Sequence, residues 1–222
     1  MSLPLIRLAS IDSTQAFLKR HPELGFCAVV ADAQTEGRGR QGNRWESAPG
    51  GGLWMSAALP SSSLAPGLVL QSAMRHVLAA LPQDGRLGLK WPNDLIARTE
   101  GGLVKLGGII GELIGGRLIL GLGINLTEAP DLRDRAIPAS HLKALGLNAP
   151  PAPDLALMLL DRWRDLSSAP EPPFRWPSEG HALRWEGGQG VCLGWEPDGR
   201  LKVATNAGVE RLSAGEVRGL KA

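Results

Sequence analysis

Glycine and arginine alternate along Gly37-Arg38-Gly39-Arg40-Gln41-Gly42-Asn43-Arg44-Trp45, a composition suited to holding an anion. The glycines permit positive φ and close backbone approach, while Arg38, Arg40 and Arg44 offer planar donor forks for phosphate or carboxylate. The spacing is not that of a P-loop, which ends in Lys-Ser or Lys-Thr, nor that of a dinucleotide fingerprint opening a helix. Two lysine-bearing blocks add fixed cations: Lys90-Trp91-Pro92-Asn93-Asp94 and Lys105-Leu106-Gly107-Gly108-Ile109-Ile110-Gly111-Glu112. Gly121-Leu122-Gly123-Ile124-Asn125-Leu126 follows them. Cations and backbone donors gathered in this way fit chemistry that concentrates negative charge on phosphate and carboxylate.

Local patterns place these blocks on elements. Asp12, Ser13 and Thr14 are helix-capping residues, and they start a short helix that His21-Pro22 stops. The apolar run 26–31 reads as a strand leading into the Arg-Gly loop, and 53–59 reads as another. Val69, Leu70, Met74, Val77, Leu78 and Leu81 draw one buried stripe of a helix ended by Pro82. A strand over 87–91 carries the Lys90 block at its end. The runs 106–114 and 118–126 flank Gly115-Gly116, which predicts a hairpin with the Lys105 and Gly121 blocks on adjacent antiparallel strands. A second helix spans 155–166, with Asp154 as its cap. Proline clusters at 150–153 and 170–177 precede Gly187-Gly188, and the rhythm then shortens to a β-meander over 191–195, 201–205 and 209–212. The expected division is therefore 1–186 and 187–222.

Composition narrows the function classes. The chain of 222 residues carries 24 basic and 22 acidic side chains, for a net charge of +2, so no broad field invites nucleic acid. The basic signal is confined to the first loop. No apolar run is long enough to span a membrane and no signal-peptide pattern opens the chain, so a cytoplasmic address with no membrane partner is expected. Cys27 and Cys192 lie far apart in apolar stretches and read as buried free thiols rather than as a metal or redox pair.

The ordered set of blocks resembles the catalytic domain of biotin protein ligases, whose hallmark runs are a Gly-Arg-Gly-Arg-x-Gly loop, Lys-Trp-Pro-Asn-Asp, Lys-Leu-x-Gly-Ile and Gly-x-Gly-x-Asn. The likeness runs from Asp12-Ser13-Thr14 to the C-terminal module and so covers nearly the whole chain. It implies an α+β fold, with a mixed, largely antiparallel sheet carrying helices on one face and a small C-terminal SH3-like β-barrel. It also implies a reaction that joins biotin to ATP, giving biotinyl-5′-AMP and pyrophosphate, and then passes biotin to one lysine of a biotin carboxyl carrier protein. Mg²⁺ is the implied cofactor, and pairing of two copies through a sheet edge is implied as well. Only eleven residues precede Asp12, so the monofunctional type without a DNA-binding domain is expected.

By the same resemblance, Lys105 sits where carboxylate and α-phosphate meet, and Arg38 and Arg40 hold the ligand from a loop that orders on binding and excludes water. Lys90 faces the phosphates. Asp94 either helps hold Mg²⁺ or orients the acceptor amine. Asn93 is a turn former that also flanks the nucleotide, and Asn125 meets adenosine. Ser13, Thr14 and Gln34 match the positions that hold the biotin ureido ring, together with Gln15, which stands where the family commonly has Asn. Gly37, Gly39, Gly107 and Gly108 bring backbone close to the ligand, and Trp45 braces the loop, packs on the ligand or packs in the core. Residues 131–135 are expected to form a solvated charged turn. The nearest rival is a lipoate ligase or octanoyl transferase, the latter needing a reactive Cys in the pocket. A catalytically silent biotin-binding module would not need the phosphate apparatus.

Overall fold

The computed structural model describes residues 4–131 and 136–220, so residues 132–135 of the expected charged turn lie outside the described residues. The larger of two sheets comprises β1 (Leu5–Ile11), β2 (Cys27–Gln34), β3 (Gly52–Pro60), β4 (Leu87–Lys90), β5 (Asp94–Thr99), β6 (Gly102–Ile114), β7 (Arg117–Asn125) and β8 (Arg175–Trp176). Their spatial order is β1-β2-β3-β7-β6-β5-β4-β8. Neighbours run antiparallel except β1 with β2 and β4 with β8, which are parallel. The sheet is therefore mixed, as expected.

Side chains alternate across this sheet, and the two faces are covered differently. Ala28, Val30, Met55, Ala57, Leu120 and Leu122 point to the main core, where α2 (Pro66–Ala80) and α3 (Ala152–Arg162) pack. Cys27, Val29, Ala58 and Ile119 point the other way, against Leu18 of α1 (Thr14–Arg20). The two long helices thus share one face, and the short α1 covers only part of the opposite face. That leaves the rest of the opposite face free for a cavity.

Helix ends follow their punctuation in most places. Ser13 caps α1, its Oγ accepting from the Ala16 N–H at 3.4 Å, and His21 closes the helix ahead of Pro22. Pro66 opens α2 and Pro82 follows its end. For α3 the expectation needs correction. The helix starts at Ala152 with no side-chain cap, and Asp154 lies inside its first turn, where a carboxylate favours the positive end of the dipole. It also ends at Arg162 rather than 166; Trp163 caps it, and its indole N–H donates to the Ala73 carbonyl at 3.0 Å, tying α3 to α2.

Gly115 and Gly116, with φ of 57° and 75°, form the turn between β6 and β7. β1 and β5 have no counterpart in the sequence reading. β1 is half exposed at the sheet edge, and β5 begins at Asp94, the last residue of the Lys90 block, straight after the turn at Trp91-Pro92-Asn93.

The second sheet holds β9 (Ala182–Trp185), β10 (Gly188–Trp195), β11 (Leu201–Thr205), β12 (Gly208–Leu212) and β13 (Arg218–Gly219), in the order β12-β11-β10-β9-β13. The expected meander is β10 to β12, with two further strands beside it. Leu183, Cys192, Leu201, Val203 and Val217 form its core, and Trp91 of the larger unit inserts among them. The Gly199 carbonyl accepts from Trp91 Nε1 at 3.0 Å and from Gln71 Nε2 at 2.6 Å. Two buried hydrogen bonds on one turn therefore fix the small sheet against α2 and the Lys90 block.

Candidate active site

On the α1 face of the large sheet lies a cavity of about 300 Å³. Its lining brings together Ser13, Thr14, Gln15, Gln34, Arg38, Gly39, Arg40, Trp45, Lys90, Asn93, Asp94, Lys105, Gly108 and Asn125. Two expected residues stand behind the wall instead. Gly37 packs so closely under Trp45 that a Cβ there would sit 2.3 Å from the Trp45 carbonyl oxygen, and Gly107 abuts the Gly123 carbonyl in the same manner.

One end of the cavity is neutral and polar. The Gln34 Oε1 accepts from the Thr14 N–H at 2.9 Å and from the Thr14 hydroxyl at 3.1 Å. Thr14 Oγ1 also meets Ser56 Oγ at 2.8 Å, and Gln34 Nε2 donates to Ser47 Oγ at 2.9 Å. Asp12 accepts the Ser13 N–H at 2.7 Å, and its hydrogen bonds from Arg20 hold its carboxyl down at about 2. The floor beneath is bare backbone, because Gly121 and Gly123 present the same face of β7. A Cβ at Gly121 would stand 2.5 Å from Gln15 Oε1, and one at Gly123 would stand 2.5 Å from the Trp45 ring.

The other end is cationic. Lys105 Nζ donates to Asp94 Oδ1 at 2.7 Å, and Lys90 Nζ lies 3.8 Å from Asp94 Oδ2. Lys90 is only 6% exposed. Burial pushes its ammonium below the usual lysine range, with Lys105 and Arg40 adding to the effect and Asp94 opposing it. Arg40 Nη1 donates to Asn93 Oδ1 at 3.0 Å and to the Gly215 carbonyl at 3.2 Å. Asn93 Nδ2 in turn donates to the Ile109 carbonyl at 2.7 Å, so Asn93 is a buried strut for the arginine as well as a turn residue. Lys105 Nζ sits 5.7 Å from the centre of the Trp45 ring, which places it between that ring and Asp94.

A register shift accounts for the position of Lys105. Between β5 and β6 the pairing runs Asp94 with Gly108, Leu95 with Gly107 and Ile96 with Lys105, leaving Leu106 as an extra residue on β6. The bulge turns Lys105 to the side of Asp94 and Gly108, which strict alternation would have denied it.

The Arg-Gly loop folds back on itself. Arg38 bridges Arg44, the Gly39 N–H donates to the Asn43 carbonyl at 2.8 Å, and Arg40 to Gly42 make one 3₁₀ turn. Arg38, Arg40, Arg44, Lys90 and Lys105 line the cavity against Glu46, Asp94 and Glu216, so positive charge is in surplus. Asn125 donates from Nδ2 to the Ser140 carbonyl at 3.0 Å, and its Oδ1 has no partner.

Asp94 does not fit a resident Mg²⁺ site. Both its oxygens face ammonium groups, and no cluster of three His, Cys, Asp or Glu occurs among the described residues. Cys27 and Cys192 are buried, free and outside the cavity lining, and burial pushes both thiols up. No reactive cysteine of the transferase type therefore lines the pocket. Sequence reasoning missed Ser47 and Ser56, which lie outside every block, and Gly215 and Glu216, which the small sheet brings in from the far end of the chain.

Residues 8–127 match the model of the Biotin/lipoate A/B protein ligase family. The chain belongs to that family. A biotin–[acetyl-CoA-carboxylase] ligase of Mycobacterium tuberculosis is 32% identical over 213 residues, covering 85% of this chain and 77% of that protein. A bifunctional ligase/repressor of Bacillus subtilis is 31% identical over 216 residues, and the chain spans 65% of its length. Among solved structures, a biotin protein ligase from Aquifex aeolicus in complex with biotin and ATP superposes with a TM-score of 0.73 at 26% identity, covering 99% of each chain. One from Leishmania major in complex with biotinyl-5-AMP gives 0.60 at 25% identity, covering 95% of this chain and 99% of that one. The ligase-family match and the two-sheet architecture agree with the fold expected from the sequence blocks.

Proposed function

We propose that this family member is a biotin protein ligase whose cavity on the α1 face carries out both halves of the reaction. The observation that carries the reading is the adjoining of a neutral, hydrogen-bonding end on a glycine floor and an end with surplus cations. A biotin ureido ring fits the first, through Ser13, Thr14, Gln15 and Gln34. Its carboxylate and the ATP α-phosphate fit the second, next to Lys105, Arg38 and Arg40.

In the first half, a biotin carboxylate oxygen attacks the α-phosphorus while the bond to pyrophosphate breaks. Lys105 and Arg40 stabilise the charge that builds on the phosphoryl oxygens, already aimed there by Asp94, Asn93 and Gly215. Lys90 holds the phosphates and Asn125 offers its free oxygen to the adenine amine. Any Mg²⁺ would come as the counter-ion of the triphosphate, since Asp94 faces two ammonium groups and offers it no site. In the second half, the ε-amine of a carrier lysine attacks the acyl carbon, the carbon–oxygen bond to AMP breaks and a proton leaves. Asp94, already engaged by two ammonium groups, orients that amine.

The loop over 37–45 covers the mixed anhydride and keeps water from it. The acceptor is the biotin carboxyl carrier protein of a biotin-dependent carboxylase, and a cytoplasmic setting follows from the need for ATP. Two copies pair through the exposed edge of β1, which light scattering tests. The C-terminal unit begins nearer Ala182 than 187, because β9 belongs to the small sheet. Mass spectrometry of a mixture of chain, biotin and MgATP tests the central reading: biotinyl-AMP is expected, with biotin on a carrier lysine once carrier is added. Its absence sinks the proposal.

A further inference from the structure

At the neutral end Gln15 carries a polar atom that the protein leaves unsatisfied. Gln15 is 3% exposed, and its Nε2 donates to Glu112 Oε1 at 2.9 Å. The other oxygen of Glu112 takes the Lys19 ammonium at 2.6 Å. A carboxylate only accepts hydrogen bonds, so Glu112 decides which end of the Gln15 amide faces it. The amide oxygen must turn the other way, over Gly121, in the wall of the cavity. There Gln15 Oε1 is buried without a hydrogen-bond partner. The neighbouring amide is different, since Gln34 Oε1 already accepts twice from Thr14. A buried acceptor in this condition costs free energy that a donor on a ligand would return.

We infer that Glu112, braced by Lys19, is a positioning residue that presents Gln15 Oε1 to one ureido N–H of bound biotin, making Gln15 a determinant of specificity. The inference rests on the biotin reading above. A cyclic urea carries two N–H donors and one carbonyl acceptor. An unrestrained glutamine could turn over and offer its NH₂ to the carbonyl instead; pinned by Glu112, it can only accept. A ring bearing an alkyl group or oxygen in place of that N–H leaves the acceptor unpaired and is rejected. Gly121 is part of the device, because any side chain there would collide with the amide oxygen.

Gln15→Met keeps length and removes the acceptor. Calorimetry without ATP compares biotin with its two mono-N-methyl isomers. The variant is expected to bind biotin about tenfold more weakly, the size of one lost hydrogen bond to a buried group, with the penalty absent for one of the two isomers. Glu112→Ala is expected to weaken biotin about fivefold while leaving kcat and the KM for ATP unchanged. Glu112→Gln, whose one oxygen cannot accept from both Gln15 Nε2 and Lys19 and whose NH₂ can donate to Gln15 Oε1, is expected not to restore the affinity, and full recovery in it overturns the pinning by the carboxylate. Unchanged biotin affinity in Gln15→Met, or the same loss for biotin and both isomers, overturns the inference and leaves the biotin reading standing. A fall in kcat and a rise in both KM values for Glu112→Ala overturns the positioning role. A parent chain that binds no biotin removes the biotin reading itself, and this inference with it.

Discussion

At the neutral end of the cavity, Thr14, Gln34, Ser47 and Ser56 satisfy one another, whereas at the cationic end Lys90, Lys105 and Arg40 share few acceptors. The first arrangement is a preformed surface whose hydrogen bonds exist before any ligand arrives. The second is held together by Asp94, Asn93 and Gly215 and still carries more positive charge than it neutralises. A recognition end therefore depends on geometry already made, and a reaction end depends on charge that the substrate brings. The consequence is a separation of roles: damage at the neutral end should appear in affinity, and damage at the cationic end in rate.

The largest test of that separation is Lys105→Ala. The variant should fold normally and bind biotin almost as the parent does, yet form biotinyl-AMP about 10²–10³-fold more slowly, by analogy with removal of an oxyanion donor. A rate within threefold of the parent would take Lys105 out of the mechanism. Thr14→Val should do the reverse. It removes the hydroxyl proposed to meet the ureido ring and the partner of Ser56, while Gln34 keeps the Thr14 N–H; a hydrogen bond lost at a buried group costs about 1–3 kcal/mol, so biotin affinity should fall roughly five- to 150-fold. The rate at saturating biotin should stay near that of the parent. Were the rate to fall and the affinity hold, the two ends would not divide the work as argued.

Smaller effects lie in the loop between them. Arg40→Gly deletes the bonds to Asn93 and Gly215, so adenylate should still form but escape. Biotin on lysines of bystander proteins is the readout, and strict carrier specificity in the variant would count against a covering role. The least conspicuous test is amide hydrogen exchange over residues 36–45. Ordering each backbone residue costs roughly 1–2 kcal/mol, which a bound anion offsets through N–H and arginine contacts. Exchange should be fastest in the free chain, slower with biotin and slowest with a biotinyl-AMP analogue. Equal rates in all three states would mean that the folded-back loop is as rigid empty as filled.

Much of this molecule is legible along the chain. The helix stripe of α2, the Gly115-Gly116 hairpin and the short rhythm of the C-terminal strands all arise from neighbours in sequence, because backbone conformation and facing are local properties. The Arg-Gly loop and the two lysine blocks are legible for the same reason, and fourteen of the sixteen expected site residues line one cavity.

Distance across strands is not a local property. Lys105 reaches Asp94 only because Leu106 is bulged out of the β5–β6 register. Ser56 completes the neutral end only because β3 brings it beside Thr14, 42 residues away. Gly215 meets Arg40 across 175 residues because Gly199 and Trp91 lock the small sheet onto the large one. Glu112 finds Gln15 and Lys19 only where β6 passes α1. The sequence by itself determined which charges and donors the chain owns and which elements carry them. Tertiary structure decided which of them are partners, since hydrogen bonds and ion pairs between side chains act over a few ångströms and only folding sets those distances.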